Sequence, residues 1–219
     1  MTKAAQETDP IERMKLITTF LLSGLHCNPV LCKSKAPLNP ILGETYQAYK
    51  EDGTEIYLEQ TSHHPPTSNY YMIGPDKSYE MFGYAIVNAQ LTGMNSLKGW
   101  REGKNILKFK DGTMITFTTP ETRIKGLIMG ERSLIYSGTL TIKDFNNKIE
   151  SVTTFPYKED GKIAAIKNSI TSIFSKSEEL PLDQFNITIS KLNVATKIKE
   201  TVCEGHGSWM GQIYFDSKK

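Results

Sequence analysis

The chain has 219 residues, 38% of them hydrophobic, with 26 lysines and arginines against 24 aspartates and glutamates for a formal net charge of +2. Such a length suits one large all-β domain or two small ones. The charge is too small to argue for nucleic-acid binding, and no run of about 18 apolar residues exists to cross a bilayer as a helix. The N-terminal run Met1-Thr2-Lys3-Ala4-Ala5-Gln6-Glu7-Thr8 has no apolar signal core, and Cys27, Cys32 and Cys203 cannot all pair with one another. Reduced thiols in the cytosol are therefore expected.

In chain order, Asp9-Pro10-Ile11-Glu12 predicts a helix start. Asp9 can cap, Pro10 suits the first turn, and Glu12 stands three residues past the cap. Met14, Ile17, Leu21 and Leu25 then recur at helical spacing. The helix, about residues 9–28, should end before Pro29 and pack against the strands that follow. From residue 45 the period changes. Strands are predicted at 45–50 and 55–60 around Glu51-Asp52-Gly53-Thr54, and at 68–73 and 79–89 around Gly74-Pro75-Asp76-Lys77. In the fourth strand Tyr79, Met81, Gly83, Ala85, Val87 and Ala89 share a face that is small in its middle. Further strands are predicted at 106–109, 114–118, 123–129, 134–142, 149–155, 185–192, 196–203 and 208–215. Ile163, Ile166, Ile170, Ile173 and Phe174, with Lys162, Lys167 and Lys176, predict one short amphipathic helix among them. It would cover an end of the strand structure or touch an anionic bilayer. Many short strands with regular turns, no repeat and no composition break give a mainly β fold in a single domain over 1–219.

The run His63-His64-Pro65-Pro66 attracts attention on physical grounds. Proline lacks an N–H, so the ladder should stop there and leave two imidazoles at a rigid strand end. Neighbours in an extended chain point to opposite sides, a poor geometry for sharing a metal. A local turn would let both grip a bulky phosphate, which favours the charged imidazole. On composition alone a histidine pair is more often structural.

Two long runs change that reading. Glu59-Gln60-Thr61-Ser62-His63-His64-Pro65-Pro66 resembles the signature octapeptide of the oxysterol-binding protein family, with Thr61 in place of a valine. Pro37-Leu38-Asn39-Pro40-Ile41-Leu42-Gly43-Glu44-Thr45 is similar to the family's upstream K-P-x-N-P-x-L-G-E-T segment. Weaker similarity runs through Gly83-Tyr84 and Glu121-Thr122-Arg123-Ile124-Lys125-Gly126-Leu127 to about Phe155. The resemblance implies an incomplete antiparallel β-barrel around a lipid tunnel, here about residues 44–216, and binding and non-vesicular transfer of lipids between membranes. The ligands it implies are a sterol, phosphatidylinositol 4-phosphate or another glycerophospholipid. It assigns the headgroup to His63, His64 and Asn39. Leu38 is then expected to line the mouth, with Met14, Ile17, Leu21 and Leu25 closing the barrel floor. Glu44 and Glu59 would orient the site from behind.

The sequence departs from the pattern in three places. Ala36 stands where the family has a lysine, and Lys35, one residue earlier, is the candidate replacement, although a one-residue slip in a strand reverses the face. Few residues precede the first helix, and the chain stops soon after its last strand. A short member or a fragment is therefore expected, without the lid and the C-terminal helices of the pattern, and a homodimer is one way its opening would be covered. The implied setting is cytoplasmic and peripheral at membrane surfaces, with no cofactor, no nucleic acid and no catalysis. A non-transferring sensor or scaffold is the alternative. A lipid hydrolase is remote, because Gly205-His206-Gly207-Ser208-Trp209-Met210-Gly211 does not match the nucleophile elbow. Metal binding is disfavoured by the wide spacing of Cys27, Cys32 and the Cys203–His206 pair.

Overall fold

The computed structural model describes residues 1–27, 39–156 and 182–216. The expected amphipathic helix at 163–174, Lys35 and Leu38 lie outside them. A short helix α1 (Thr2–Gln6), unforeseen in the sequence, precedes α2 (Pro10–Ser23) and a 3₁₀ turn (Gly24–His26). The predicted cap forms, with Asp9 Oδ1 accepting from the N–H groups of Ile11 (2.8 Å) and Glu12 (2.9 Å). The strands are β1 (Thr45–Tyr49), β2 (Glu55–His63), β3 (Pro66–Ile73), β4 (Tyr79–Leu91), β5 (Ser96–Glu102), β6 (Asn105–Phe109), β7 (Met114–Phe117), β8 (Glu121–Lys125), β9 (Ser133–Asp144), β10 (Ile149–Pro156), β11 (Gln184–Leu192), β12 (Lys199–Ser208) and β13 (Ile213–Phe215).

These strands form one sheet in which every pair is antiparallel, running from β1 to β13 in the order β1-β2-β3-β4-β5-β8-β9-β10-β11-β12-β13. The expected mainly β architecture is therefore present. Closure is local: β4, β5, β8, β9, β7 and β6 each pair with the next and return to β4 as a ring, while β1 and β13 are edges among the described residues. β5 and β6 lie end to end along β4, whose residues 86–91 pair with 97–102 and 79–83 with 105–109. β7 and β8 lie end to end along β9 in the same way. The two lines pair with each other at Ser96–Gly99 and again at Asn105–Lys108 but separate between them. That separation leaves a gap in the wall bordered by residues 100–104 and 118–121.

The step from β5 to β6 crosses β4 tightly. A Cβ on Gly83 would lie 2.1 Å from the Lys104 carbonyl oxygen, so only glycine allows the crossing. β5 lies where no strand is predicted, because Lys98 and Gly99 hide its alternation. The strands predicted at 196–203 and 208–215 are β12 and β13 with shifted limits, as the chain turns at 209–212, and the one predicted at 123–129 is β8, which begins at Glu121 and ends at Lys125.

The helix docks on the inside of the curled sheet. Met14, Ile17 and Leu22 join Phe109, Leu107, Ile142, Ile149, Phe185 and Ile187 in one core cluster, the outcome expected of an amphipathic stripe. Its buried polar contacts are matched. Thr18 Oγ1 donates to the Met14 carbonyl (2.8 Å) and lies 3.0 Å from Ser151 Oγ. Arg13 reaches the Glu7 carbonyl, the Thr113 hydroxyl and the Asp111 carboxylate, and its guanidinium sits 4.9 Å from the Phe109 ring centroid. At the other end of the helical segment Tyr136 Oη donates to the Leu25 carbonyl (2.8 Å).

Candidate functional site: a histidine turn at one end of the sheet

Antiparallel alternation places the turns on two ends. Turns 41–44, 64–65, 92–95, 126–132 and 209–212 share one end with Leu25, and turns 50–54, 74–78, 110–113, 145–148 and 193–198 share the other. The two motif runs meet at the first end. Gln60 N donates to the Glu44 carbonyl (3.0 Å), Gly43 N donates to the Gln60 carbonyl (2.8 Å), and Thr45 pairs with Glu59. Gly43 adopts φ +78° in the turn before β1, a conformation that favours glycine. The Glu44 carboxylate closes that turn by accepting from Ile41 N at 2.9 Å. Asn39 is exposed two residues earlier. Residues some twenty positions apart thus become one structural unit.

A β-bulge then sets which way His63 faces. In the β2–β3 ladder Gln60 pairs with Ser68, Ser62 with Thr67 and His63 with Pro66, so Thr61 is the extra residue. Ser68 and Pro66 are two apart and share a face, and each shares it with its partner across the ladder. Gln60 and His63 therefore lie on the same face, which plain alternation would forbid. Gln60 marks it as the inner face: it is buried, accepts from Ser68 Oγ (2.5 Å) and donates to the Ser62 carbonyl (2.9 Å). Thr61 is fixed by Asn69 Nδ2, which donates to its hydroxyl at 2.6 Å. The chain reverses at His64–Pro65, joined by a cis peptide bond. The ladder ends there as expected, but in a tight hairpin whose second proline opens β3. The two imidazoles, exposed, meet edge to face with centroids 4.6 Å apart and an interplanar angle of 68°.

The inner face beside this turn is grooved. A cleft of about 430 Å³ is lined by Leu58, Ser68, Tyr70, Ala85, Val87 and Asn105 among others. A second, of about 310 Å³, is lined by Leu25, Cys27, Pro120 and Tyr136 and shares Val87, Arg101 and Thr119 with the first. Both open at the wall gap between residues 100–104 and 118–121. Tyr70 donates to Asn105 Oδ1 (2.8 Å), and Asn105 Nδ2 donates to the Phe117 carbonyl (3.2 Å), closing the gap's far margin. Burial pushes the Tyr70 phenol up to about 12, so it stays a neutral donor. Gln60 stands inside the octapeptide with no role assigned to it there, and Ser68, Tyr70, Asn105 and Arg101 lie outside both motif runs. Of those four, only Tyr70 and Asn105, polar residues beside apolar strand neighbours, carry a signal.

The remaining expected residues fall elsewhere. Ile17 is 1% exposed in the core cluster, with Leu21 packed against it, and neither lines these two clefts. Glu59 lies exposed in β2 beside Thr45 and Asn69. His206 and Ser208 do not form a nucleophile pair. Ser208 donates its hydroxyl proton to Asp183 Oδ2 (2.6 Å), while His206 stacks on Tyr214 with its Nδ1 3.9 Å from Asp216. Among the described residues no group of three or more His, Cys, Asp or Glu is placed to hold a metal, and no helix is long and apolar enough to cross a membrane.

Comparison with known proteins gives a consistent result. The family model described as Oxysterol-binding protein matches residues 1–219. Oxysterol-binding protein 9 of Dictyostelium discoideum is 35% identical over 98% of this chain, which covers 50% of that protein. Oxysterol-binding protein-related protein 5 of Homo sapiens is 31% identical over 82% of this chain and 21% of its own length. The crystal structure of Osh3 ORD in complex with PI(4)P from Saccharomyces cerevisiae superposes with a TM-score of 0.72 at 23% identity, over 97% of this chain and 50% of that one. Osh1 ORD in complex with cholesterol gives a TM-score of 0.73 at 20% identity, over 97% and 45%. The chain thus spans about half or less of each of these relatives, and the two structures establish its fold.

Proposed function

The chain belongs to the oxysterol-binding protein family, and from that premise we propose that it binds single lipids and moves them between membranes without catalysing a reaction on them. The proposed ligands are a sterol, a phosphoinositide or another glycerophospholipid. The observation that carries this reading is the lock between the two motif runs. Backbone hydrogen bonds of Gly43 and Glu44 with Gln60 tie the segment that follows Asn39 to the strand that ends at His63, in a sheet whose inner face is grooved. Relatives of the same fold hold PI(4)P and cholesterol in their crystal structures, which supports the same ligand classes here.

The work of such a carrier is physical. Each methylene leaving a bilayer loses about 0.8 kcal/mol of burial, which the apolar lining must replace. The headgroup loses hydration, and charge-assisted hydrogen bonds from His63 and His64 would replace it, with Asn39 as a neutral donor. Lys35 and Leu38 belong to the same proposal, as an added cation and an apolar lip. Attachment to membranes would be peripheral, in the cytoplasm.

Native mass spectrometry after incubation with mixed liposomes tests this, with the His63→Ala/His64→Ala variant run alongside. The expected result is a retained phosphoinositide that the variant loses while keeping a second lipid. Retention of no lipid by the folded wild-type chain would overturn the carrier reading. Retention without transfer between vesicles would make the chain a sensor.

A further inference from the structure

The turn end carries exposed apolar side chains that the histidine site does not use. Leu91, Met94, Ile128 and Met129 are between 67% and 89% exposed. They stand on two neighbouring turns, because Ser96 of β5 pairs with Lys125 of β8. Asn95 holds the turns together. Its carbonyl accepts from the N–H groups of Gly126 (3.1 Å) and Leu127 (3.4 Å), and its Oδ1 accepts from those of Ile128 (2.8 Å) and Met129 (3.1 Å). Its Nδ2 donates to the Met129 carbonyl at 2.7 Å. One asparagine thus fixes a loop whose outer side chains touch little of the protein. Gly126, at φ +74°, makes the turn possible, since a Cβ there would lie 2.2 Å from the Glu131 carbonyl oxygen.

The apolar surface does not begin at the tip. Leu134 is in the core, its ladder partner Ile124 packs against it, Ile124 pairs with Leu97, and Leu97 pairs with Leu91. Ladder partners share a face, so one apolar row runs from the interior out to the exposed tip. Lys125 and Arg132 bracket the 126–131 turn, with Lys98 one strand away, against Glu131 and the Glu121 that pairs with Lys98 at 2.9 Å.

We propose that the Asn95-clamped turns 91–95 and 126–129 are a bilayer-inserting tip, by which this end of the sheet docks on an anionic membrane. The occupant is a bilayer for three reasons. The tip is made of exposed, flexible aliphatic and thioether side chains, which suit a fluid apolar phase better than a shaped pocket. Its cations sit just behind it, where lipid headgroups would lie. Its apolar row is continuous with the inner face, giving a lipid a path from bilayer to interior. This last reason rests on the carrier reading above.

Flotation with phosphatidylcholine vesicles, with and without phosphatidylserine, tests the proposal on the Met94→Asp/Ile128→Asp variant. A Phe145→Asp/Val194→Asp variant, at the opposite end of the sheet, is the control. All four residues are exposed, so folding, checked by circular dichroism, should survive. The expected result is a loss of vesicle binding of about tenfold or more in the tip variant only, with wild-type binding stronger on anionic vesicles. Binding of the folded tip variant within about twofold of wild type overturns the proposal at that threshold. So does a dimer that the tip variant dissolves while vesicle binding persists, because the tip would then be a contact between two copies. Sterol capture from cyclodextrin solution needs no bilayer and reads the carrier function separately. Capture retained with docking lost separates the two, and capture absent from wild type counts against the carrier reading alone.

Discussion

Arg13 is the charge on which the docking of α2 depends, and Arg13→Met tests that dependence. Its side chain is 8% exposed and bonds the Glu7 carbonyl through Nε (2.9 Å) and Nη2 (2.5 Å), while Nη1 meets Thr113 Oγ1 (3.1 Å) and Asp111 Oδ2 (2.7 Å). Methionine keeps much of the stem that packs on Phe109 and removes every one of those bonds. Breaking a fully buried ion pair by removing one partner costs about 3–5 kcal/mol. Asp111 is 49% exposed and can rehydrate, so the cost should fall to about 2 kcal/mol, mostly from the Glu7 carbonyl and Thr113 hydroxyl left without their donor. In a domain of this size that lowers Tm by about 4–8 °C. Urea unfolding at neutral pH measures it. The pH dependence gives a second reading. Burial pushes the Asp111 carboxyl up, but bonds from the Thr113 N–H and hydroxyl and from Arg13 outweigh it and hold the pKa below 3.8. A carboxyl depressed by folding stabilises the fold fully above its unfolded value and loses that contribution as pH falls through the folded one. The gap between wild type and Arg13→Met should therefore narrow below about pH 3.8. A variant within about 0.5 kcal/mol of wild type at neutral pH would refute the reasoning.

Two further substitutions separate backbone roles from contact roles. Gly83→Ala drives a Cβ against the Lys104 carbonyl oxygen and should cost about 3 kcal/mol. Gly43→Ala, at φ +78° with open space around it, should cost only the left-handed strain of about 1–2 kcal/mol, and denaturant midpoints that fail to rank the two in this order would contradict the crossing argument. Ile17→Ala removes a side chain 1% exposed and should cost about 3 kcal/mol in urea unfolding while leaving lipid headgroup selectivity unchanged, whereas a selectivity change in the folded variant would put Ile17 in the pocket instead.

What could be read from the sequence was local. The Asp9 cap, the stripe of Met14 and Ile17, and the turns at Gly53 and Gly74 depend on neighbours within a few residues, and each stands where its pattern placed it. The ring of strands is not local. It depends on β4 and β9 each serving two partners end to end, which alternation within one strand cannot reveal. Nor did any residue announce the bulge at Thr61, because a threonine in a strand is equally at home in regular pairing. The His63-His64-Pro65-Pro66 run marks the candidate site without giving its geometry. Plain alternation would have set the imidazoles on opposite faces.

The bulge is therefore the feature that links the sequence to the geometry of the histidine turn. With Thr61 counted out of the ladder, His63 falls in line with Gln60, and a side chain that alternation would turn to the outer face stands at the rim of the inner one. Gln60 in turn bonds the segment that carries Asn39. One extra residue thus sets the facing of His63, in line with the residue that bonds the neighbouring motif. The apolar row from Leu134 to Leu91 reaches the same end along different strands. Polar donors and an apolar path converging on one end of a sheet are what a carrier of amphipathic molecules requires, since head and tail must be accepted in one movement.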